Sequence, residues 1–322
     1  MKRIQTLSLL CILVLLFTSC KTNTPKQISK TGFYFDTVIE ITLYNTTDYS
    51  IIDNCFSFCN DLEQTVSRTV KSSDIYKLNH AFGESITVSD TTLELIEIGI
   101  KYGDLTNGKF DITVAPLVEL WDFKNNSGNI PTKKDIESSL SHIDYKNILI
   151  ENNQITLLDP AAAIDLGGIA KGYMADKLKE YLIGTGIQSA LINLGGNILT
   201  VGSKPNGDSF HLGIQKPFEK QGVSITSVKV VDSSVVSSGI YERYFKVDDI
   251  IYHHILDTNT GYPCENNLLS VTILSENSVD GDALSTACFT LGIQEATSLI
   301  KTLKNVEAIF ITKDYQIIDT RK

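Results

Sequence analysis

The sequence predicts an α+β protein: a single domain of mixed, largely antiparallel sheet with packed helices. Three observations lead there. β-rich runs recur at hairpin spacing through the middle and end of the chain, apolar residues recur at helical spacing in separate blocks, and no repeat or low-complexity break interrupts the pattern after residue 30. At 322 residues and 42% hydrophobic, the chain is long and apolar enough to bury a sizeable core.

The first segment has another purpose. Lys2 and Arg3 precede an apolar run from Ile4 to Phe17, which is short for a membrane span and has the shape of a secretory signal. It ends in Phe17-Thr18-Ser19-Cys20, which resembles a bacterial lipobox; an ordinary cleaved signal with an incidental cysteine is the less favoured alternative. The expected division is a signal peptide over 1–19, a lipidated Cys20 with a polar, flexible tether over 20–30, and one folded domain over 31–322. Such a protein is exported and lipid-anchored to the extracytoplasmic face of a bacterial membrane.

The elements follow in order. Thr37–Tyr44 is a strand, and apolar positions Ile51, Ile52, Cys55, Phe56, Cys59 and Leu62 predict a helix over 48–66. Ser89 is placed to cap a second helix that ends near Asn107-Gly108. Strands are expected over 147–150, 154–158 and 190–193, with a helix over 168–182 between the last two. Strands over 210–214, 228–236, 250–256 and 269–274 come next, then helices over 280–291 and 294–303 and a closing strand over 308–312.

A net charge of −10 and the lack of any basic cluster argue against nucleic acid as a partner. An acidic protein that binds a phosphate must do so locally, through backbone amides or a metal. Of six cysteines, Cys11 lies in the signal and Cys20 is the lipid site. Cys55, Cys59, Cys264 and Cys288 show no zinc spacing; Cys55 and Cys59 share a helix face, which favours buried free thiols there, and a disulfide between any pair stays open in an exported protein.

Four segments carry candidate chemistry. In Asp280-Gly281-Asp282-Ala283-Leu284-Ser285-Thr286, Asp282 and Thr286 lie four apart on one helix face and can reach a single hard cation such as Mg²⁺; the same Asp also suits a helix cap. Asp165-Leu166-Gly167-Gly168-Ile169-Ala170-Lys171-Gly172 joins a strand end, two glycines and a helix start, which favours an anion, although it is neither a Walker A loop nor GxGxxG. Asn193-Leu194-Gly195-Gly196-Asn197 is a second glycine turn. Ser237-Ser238-Gly239 leads on to His253-His254-Ile255-Leu256-Asp257, where His254 and Asp257 suit a base and its orienting carboxylate.

Taken in order, these segments resemble the ApbE family of FAD:protein FMN transferases, once labelled thiamine biosynthesis lipoproteins. The resemblance runs through Phe35-Asp36-Thr37, where many members have Met-Gly-Thr, through Gly108-Lys109-Phe110-Asp111-Ile112-Thr113, and through the four segments above; it covers nearly everything after residue 31. It implies FAD as substrate with Mg²⁺ as cofactor. The FMN half is attached through a phosphoester to a Thr or Ser of an acceptor redox protein, expected to be a membrane-associated subunit, with release of AMP. Carried over by position, the metal ligands are the Gly168 carbonyl, Asp282 and Thr286. FAD contacts fall on Phe35, Phe110, Asp111, Ile112, Asp165, Lys171 and Leu256, and the acceptor's base on His254 or Asp257. Thr69 stands where some members place an aromatic near the flavin. Two rivals share the same parts: an FAD pyrophosphatase giving FMN and AMP, and a lipid-anchored flavin-binding protein without turnover.

Overall fold

A computed structural model describes residues 26–126 and 128–321. The expected signal peptide and Cys20 lie outside the described residues. The main sheet has eight strands in the order β1-β2-β6-β7-β10-β13-β14-β15. These are β1 (Gln27–Tyr34), β2 (Thr37–Tyr44), β6 (Ala190–Leu194), β7 (Asn197–Val201), β10 (Ser234–Gly239), β13 (Leu268–Ser275), β14 (Glu307–Thr312) and β15 (Ile317–Asp319). Every neighbouring pair in it is antiparallel. Smaller sheets join β3 (Ile86–Thr87), β4 (Ile148–Glu151) and β5 (Gln154–Leu157), pair β8 (Phe210–Gln215) with β9 (Ser224–Val230), and pair β11 (Tyr244–Val247) with β12 (Ile250–His253).

β1 corrects the expected tether. Residues 27–30 are already paired with β2, because Ile28 is buried between exposed neighbours in strand alternation although the local composition is polar. The expected strand over 228–236 is two strands, β9 and β10, separated by a turn in which Asp232 takes a left-handed backbone.

Seven helices are described: α1 (Ser50–Val66), α2 (Asp74–Asn79), α3 (Asp90–Leu105), α4 (Ala115–Trp121), α5 (Lys133–Leu140), α6 (Ala170–Gly184) and α7 (Ser278–Ile300). Ser89 caps α3 as expected, its side chain accepting from Thr92 N–H. Short α2, α4 and α5 lie where no helix is expected from the sequence. α7 is broken at Gly292, whose φ of 74° and ψ of 169° are not helical, so the two expected helices meet at this glycine.

β13 is buried at all eight positions, which fits its continuous Leu/Val/Ile run and its place between other strands with α7 packed on it. Nearly all buried large apolar side chains among the described residues join one core, and a second, small cluster gathers Leu117, Trp121, Ile136, Phe245 and Leu256. Cys55, Cys59, Cys264 and Cys288 are free and buried, and burial pushes the Cys55 and Cys59 thiols up to about 12. Among the described residues no helix is long and apolar enough to cross a membrane.

Candidate active site

The site grows from the place where α6 and α7 begin. α7 has no cap from its own Asn277 side chain. Instead the carboxylate of Asp176, on α6, accepts from Ser278 N–H at 2.7 Å and Val279 N–H at 2.9 Å, satisfying orphan donors across the helix pair. That bond sets the two helix starts side by side.

The turn before α6 is built by its own residues. Asp165 Oδ1 accepts from Gly167 N–H at 2.7 Å, while its Oδ2 pairs with Arg68 Nε at 3.0 Å. Asp165 N–H donates to the Ile112 carbonyl at 2.8 Å, which lays the Phe110–Thr113 segment alongside. Gly168 lets that segment come close, since a Cβ there would lie 3.0 Å from Phe110 Cε2. Lys171, in the first turn of α6, sends its ammonium back to the Gly167 carbonyl at 3.1 Å and across to Asp282 Oδ1 at 3.5 Å. Gly172 N–H donates to Asp282 Oδ2 at 2.8 Å.

Asp282 is 4% exposed, and its helix carries Ser285 and Thr286 one turn further on. Ser238, on β10, hydrogen-bonds both Ser285 Oγ at 2.8 Å and Thr286 Oγ1 at 3.2 Å. Sequence reasoning did not single out Ser238 within its motif. Strand alternation was the signal: Ser237 turns to Thr272 of β13, so its neighbour must face the other way, towards α7.

His254 lies just past β12 and is half-buried. Its Nδ1 is 3.3 Å from the Arg243 carbonyl. A carbonyl can only accept, so Nδ1 carries the proton and the neutral ring leaves Nε2 free to take another. Burial pushes its pKa down to about 3, helped by the positive Arg243, by His253 and by Lys171. Lys171 thus acts on both Asp282 and His254, linking the two halves of the site.

Asp257 does not join His254. Both its carboxylate oxygens face Lys109 Nζ, at 3.1 and 3.2 Å, and Oδ1 accepts from Asn259 N–H at 2.8 Å. The chain bends after β12, where Leu256 bridges to Pro263, and the backbone of Asp257, not its carboxylate, closes the Thr260-Gly261-Tyr262 turn, accepting from Thr260 and Gly261 N–H and donating to the Tyr262 carbonyl.

The other sequence-predicted contacts divide by what they can offer. Phe35 and Asp36 form the two-residue turn between β1 and β2 with φ of 52° and 57°, and Phe35 N–H donates to Glu63 Oε1 at 2.9 Å. The Asn193–Asn197 turn packs against this hairpin: a Cβ on Gly195 would fall 2.0 Å from Thr37 Oγ1. Asp111 is buried with its carboxylate accepting from Thr113 N–H, Thr113 Oγ1 and Tyr145 N–H. Ile112 is buried in the main core and Leu256 in the small cluster. Those three residues hold the loops in place by their side chains and have mainly backbone left for a ligand.

The donor set around Asp282 suits a hard cation. An ammonium already sits between the Gly167 carbonyl and the Asp282 carboxylate there, and the hydroxyl of Thr286 lies one turn further along the same helix. Among the described residues no group of three or more His, Cys, Asp or Glu is placed to hold a metal. One carboxylate with neutral oxygens is the arrangement Mg²⁺ accepts when substrate phosphates complete its shell.

Fold and site together define a class: a single α+β domain with two helix starts converging on one carboxylate and one lysine, able to hold a phosphate-bearing ligand. Residues 35–310 match the model of the ApbE family, and the chain belongs to that family. A FAD:protein FMN transferase of Klebsiella pneumoniae is 34% identical over 274 residues, which is 84% of this chain and 85% of the relative. One of Treponema pallidum is 29% identical over 313 residues, 91% of this chain and 86% of the relative. Among solved structures, the ApbE protein of Thermotoga maritima superposes with a TM-score of 0.84 at 29% identity, covering 91% of this chain and 97% of its own. The flavin transferase ApbE of Vibrio cholerae gives 0.80 at 26% identity, covering 92% and 96%.

Proposed function

We propose that this chain is a Mg²⁺-dependent FAD:protein FMN transferase. The observation that carries this is the Lys171 ammonium held between the Gly167 carbonyl and the Asp282 carboxylate at the paired helix starts, in a chain whose relatives bear that name. In the reaction, an acceptor Thr or Ser hydroxyl attacks the phosphorus of the FMN half. The bond to the AMP oxygen breaks, a phosphoester forms, and AMP leaves.

The residues divide the work. Gly168 through its carbonyl, Asp282 and Thr286 would hold Mg²⁺, which neutralises diphosphate charge when bound. Lys171 supplies a second positive charge to the same phosphates. His254, neutral with Nε2 free, accepts the proton of the acceptor hydroxyl. Phe35, Phe110 and Asp165, with the backbone of Asp111, Ile112 and Leu256, shape the FAD site. The acceptor is a protein segment, carried by a membrane-associated redox subunit. The signal-like start and Cys20 support an enzyme anchored by lipid on the extracytoplasmic face, where such a subunit is within reach.

The test combines purified protein, FAD, Mg²⁺ and a candidate acceptor domain, following acceptor mass and AMP together. FMN mass on the acceptor with matching AMP supports transfer. AMP without modified acceptor means hydrolysis, and neither product means flavin storage.

A further inference from the structure

Three hydroxyls in a row link β10 to α7, and counting their protons fixes their directions. Each hydroxyl donates one hydrogen bond and accepts others. Ser285 Oγ lies 2.9 Å from the Asp282 backbone carbonyl, which cannot donate, so the Ser285 proton is committed there. The 2.8 Å contact between Ser238 and Ser285 is therefore made by the Ser238 proton. With that proton used, the 3.2 Å contact between Ser238 and Thr286 is made by the proton of Thr286.

The chain of donation runs Thr286 to Ser238 to Ser285 to the Asp282 carbonyl. Its consequence lies at the first member. The Thr286 proton is drawn towards β10, and the lone pairs of Oγ1 are turned away from it. A hydroxyl binds a cation only through its lone pairs, and a proton aimed at the cation would repel it.

We infer that Ser238 is a positioning residue of the cation site, holding the Thr286 hydroxyl with its oxygen lone pairs available to a divalent metal. It acts through Thr286, to which its hydroxyl is bonded. This rests on the reading that Thr286 is a metal ligand. It also gives the adjacent serines of Ser237-Ser238-Gly239 different tasks: Ser237 pairs with Thr272 at 2.8 Å within the sheet, and only Ser238 faces α7. Groups that orient a metal ligand typically change affinity by about 10- to 100-fold when removed.

The experiment measures Mn²⁺ affinity from the EPR signal of free Mn²⁺, with FAD present and no acceptor, beside thermal unfolding of each variant. Ser238→Ala is expected to weaken Mn²⁺ binding by about 10-fold or more, whereas Ser237→Ala, which also removes one hydroxyl from β10, should stay within about twofold. Thr286→Val should weaken it as well, and adding Ser238→Ala to that variant should cost nothing further, because the ligand that Ser238 orients is gone. If Ser238→Ala unfolds the protein, Ser285→Ala replaces it. Without its acceptor, Ser238 is free to donate to Thr286, and Mn²⁺ binding should again fall.

Unchanged Mn²⁺ affinity in Ser238→Ala, alongside weakened binding in Thr286→Val, overturns the inference and leaves the metal reading standing. A Ser238→Ala loss that persists in full in the Thr286→Val background also overturns it, since the effect then bypasses Thr286. If Thr286→Val itself binds Mn²⁺ normally, the metal reading of Thr286 fails and takes this inference with it.

Discussion

Gly172 N–H donates to Asp282 Oδ2 at 2.8 Å, and the same glycine has no room for a side chain: a Cβ would lie 2.4 Å from the Ser278 carbonyl oxygen. One residue therefore both aims the carboxylate and lets α6 and α7 touch. In Gly172→Ala the helix starts must separate, because the obstructing atoms are backbone. The expected result is a loss of about 1–3 kcal/mol in stability from overpacking, seen in denaturant unfolding. AMP release should also need more Mg²⁺ to reach half its maximum. Wild-type Mg²⁺ dependence in this variant would mean that the Asp282 carboxylate is placed without α6.

Asp282→Ala removes the carboxylate paired with Lys171 and proposed to hold the cation. AMP release and FMN transfer should fall by about 10²-fold or more at moderate Mg²⁺, the scale seen when an electrostatic stabiliser of a developing charge is lost. FAD affinity, read by quenching of flavin fluorescence, should change far less, because the proposed FAD contacts at Phe35, Phe110 and Leu256 lie on other segments. Full activity in Asp282→Ala counts directly against the metal assignment.

For His254→Ala, the expectation is selective loss of transfer. The ring's Nδ1–H faces the Arg243 carbonyl and its Nε2 is free, so its removal takes away a proton acceptor and leaves the α6–α7 contacts intact. Single-turnover transfer should slow by about 10²- to 10⁴-fold with FAD binding kept. A variant that transfers at the wild-type rate would reassign the base.

Much of this site was legible because its parts are local. Asp282 and Thr286 share a helix face by spacing alone, and the glycines of Asp165–Gly172 advertise a close approach. What the spacing could not give was which atoms the approach brings together: Gly172 against Ser278 is set by Asp176, a hundred residues away in sequence from the amides it caps. Asp257 was misplaced for a similar reason. Its nearness to His254 in sequence suggested a pair, while Lys109, on a distant loop, offers it a full positive charge. In the fold, the long periodic elements were readable. Short α2, α4 and α5 were not, since six to eight residues give too little periodicity and are held by tertiary contacts.

His253 gives a prediction in pH. It is buried, with Nε2 at 3.2 Å from the Cys264 carbonyl and Nδ1 accepting from Ile255 N–H at 3.3 Å, an arrangement only the neutral ring can make. Burial pushes its pKa down from 6.5 to about 4. Between those values the unfolded chain binds a proton that the native protein refuses, so stability falls as pH drops through the window. Asp176 acts in the opposite sense: burial raises its carboxyl to about 6, and acidification towards its ordinary value of 3.8 favours the native state. The net slope mixes both effects, so the comparison must be between variants. His253→Gln retains a donor for the Cys264 carbonyl and does not titrate. Going from pH 7 to 5, the wild type should lose about 2 kcal/mol more than His253→Gln in denaturant unfolding, the linkage expected of one histidine with this shift. Equal losses in the two proteins would show that the His253 ring takes up its proton in place, against the two bonds that now hold it neutral.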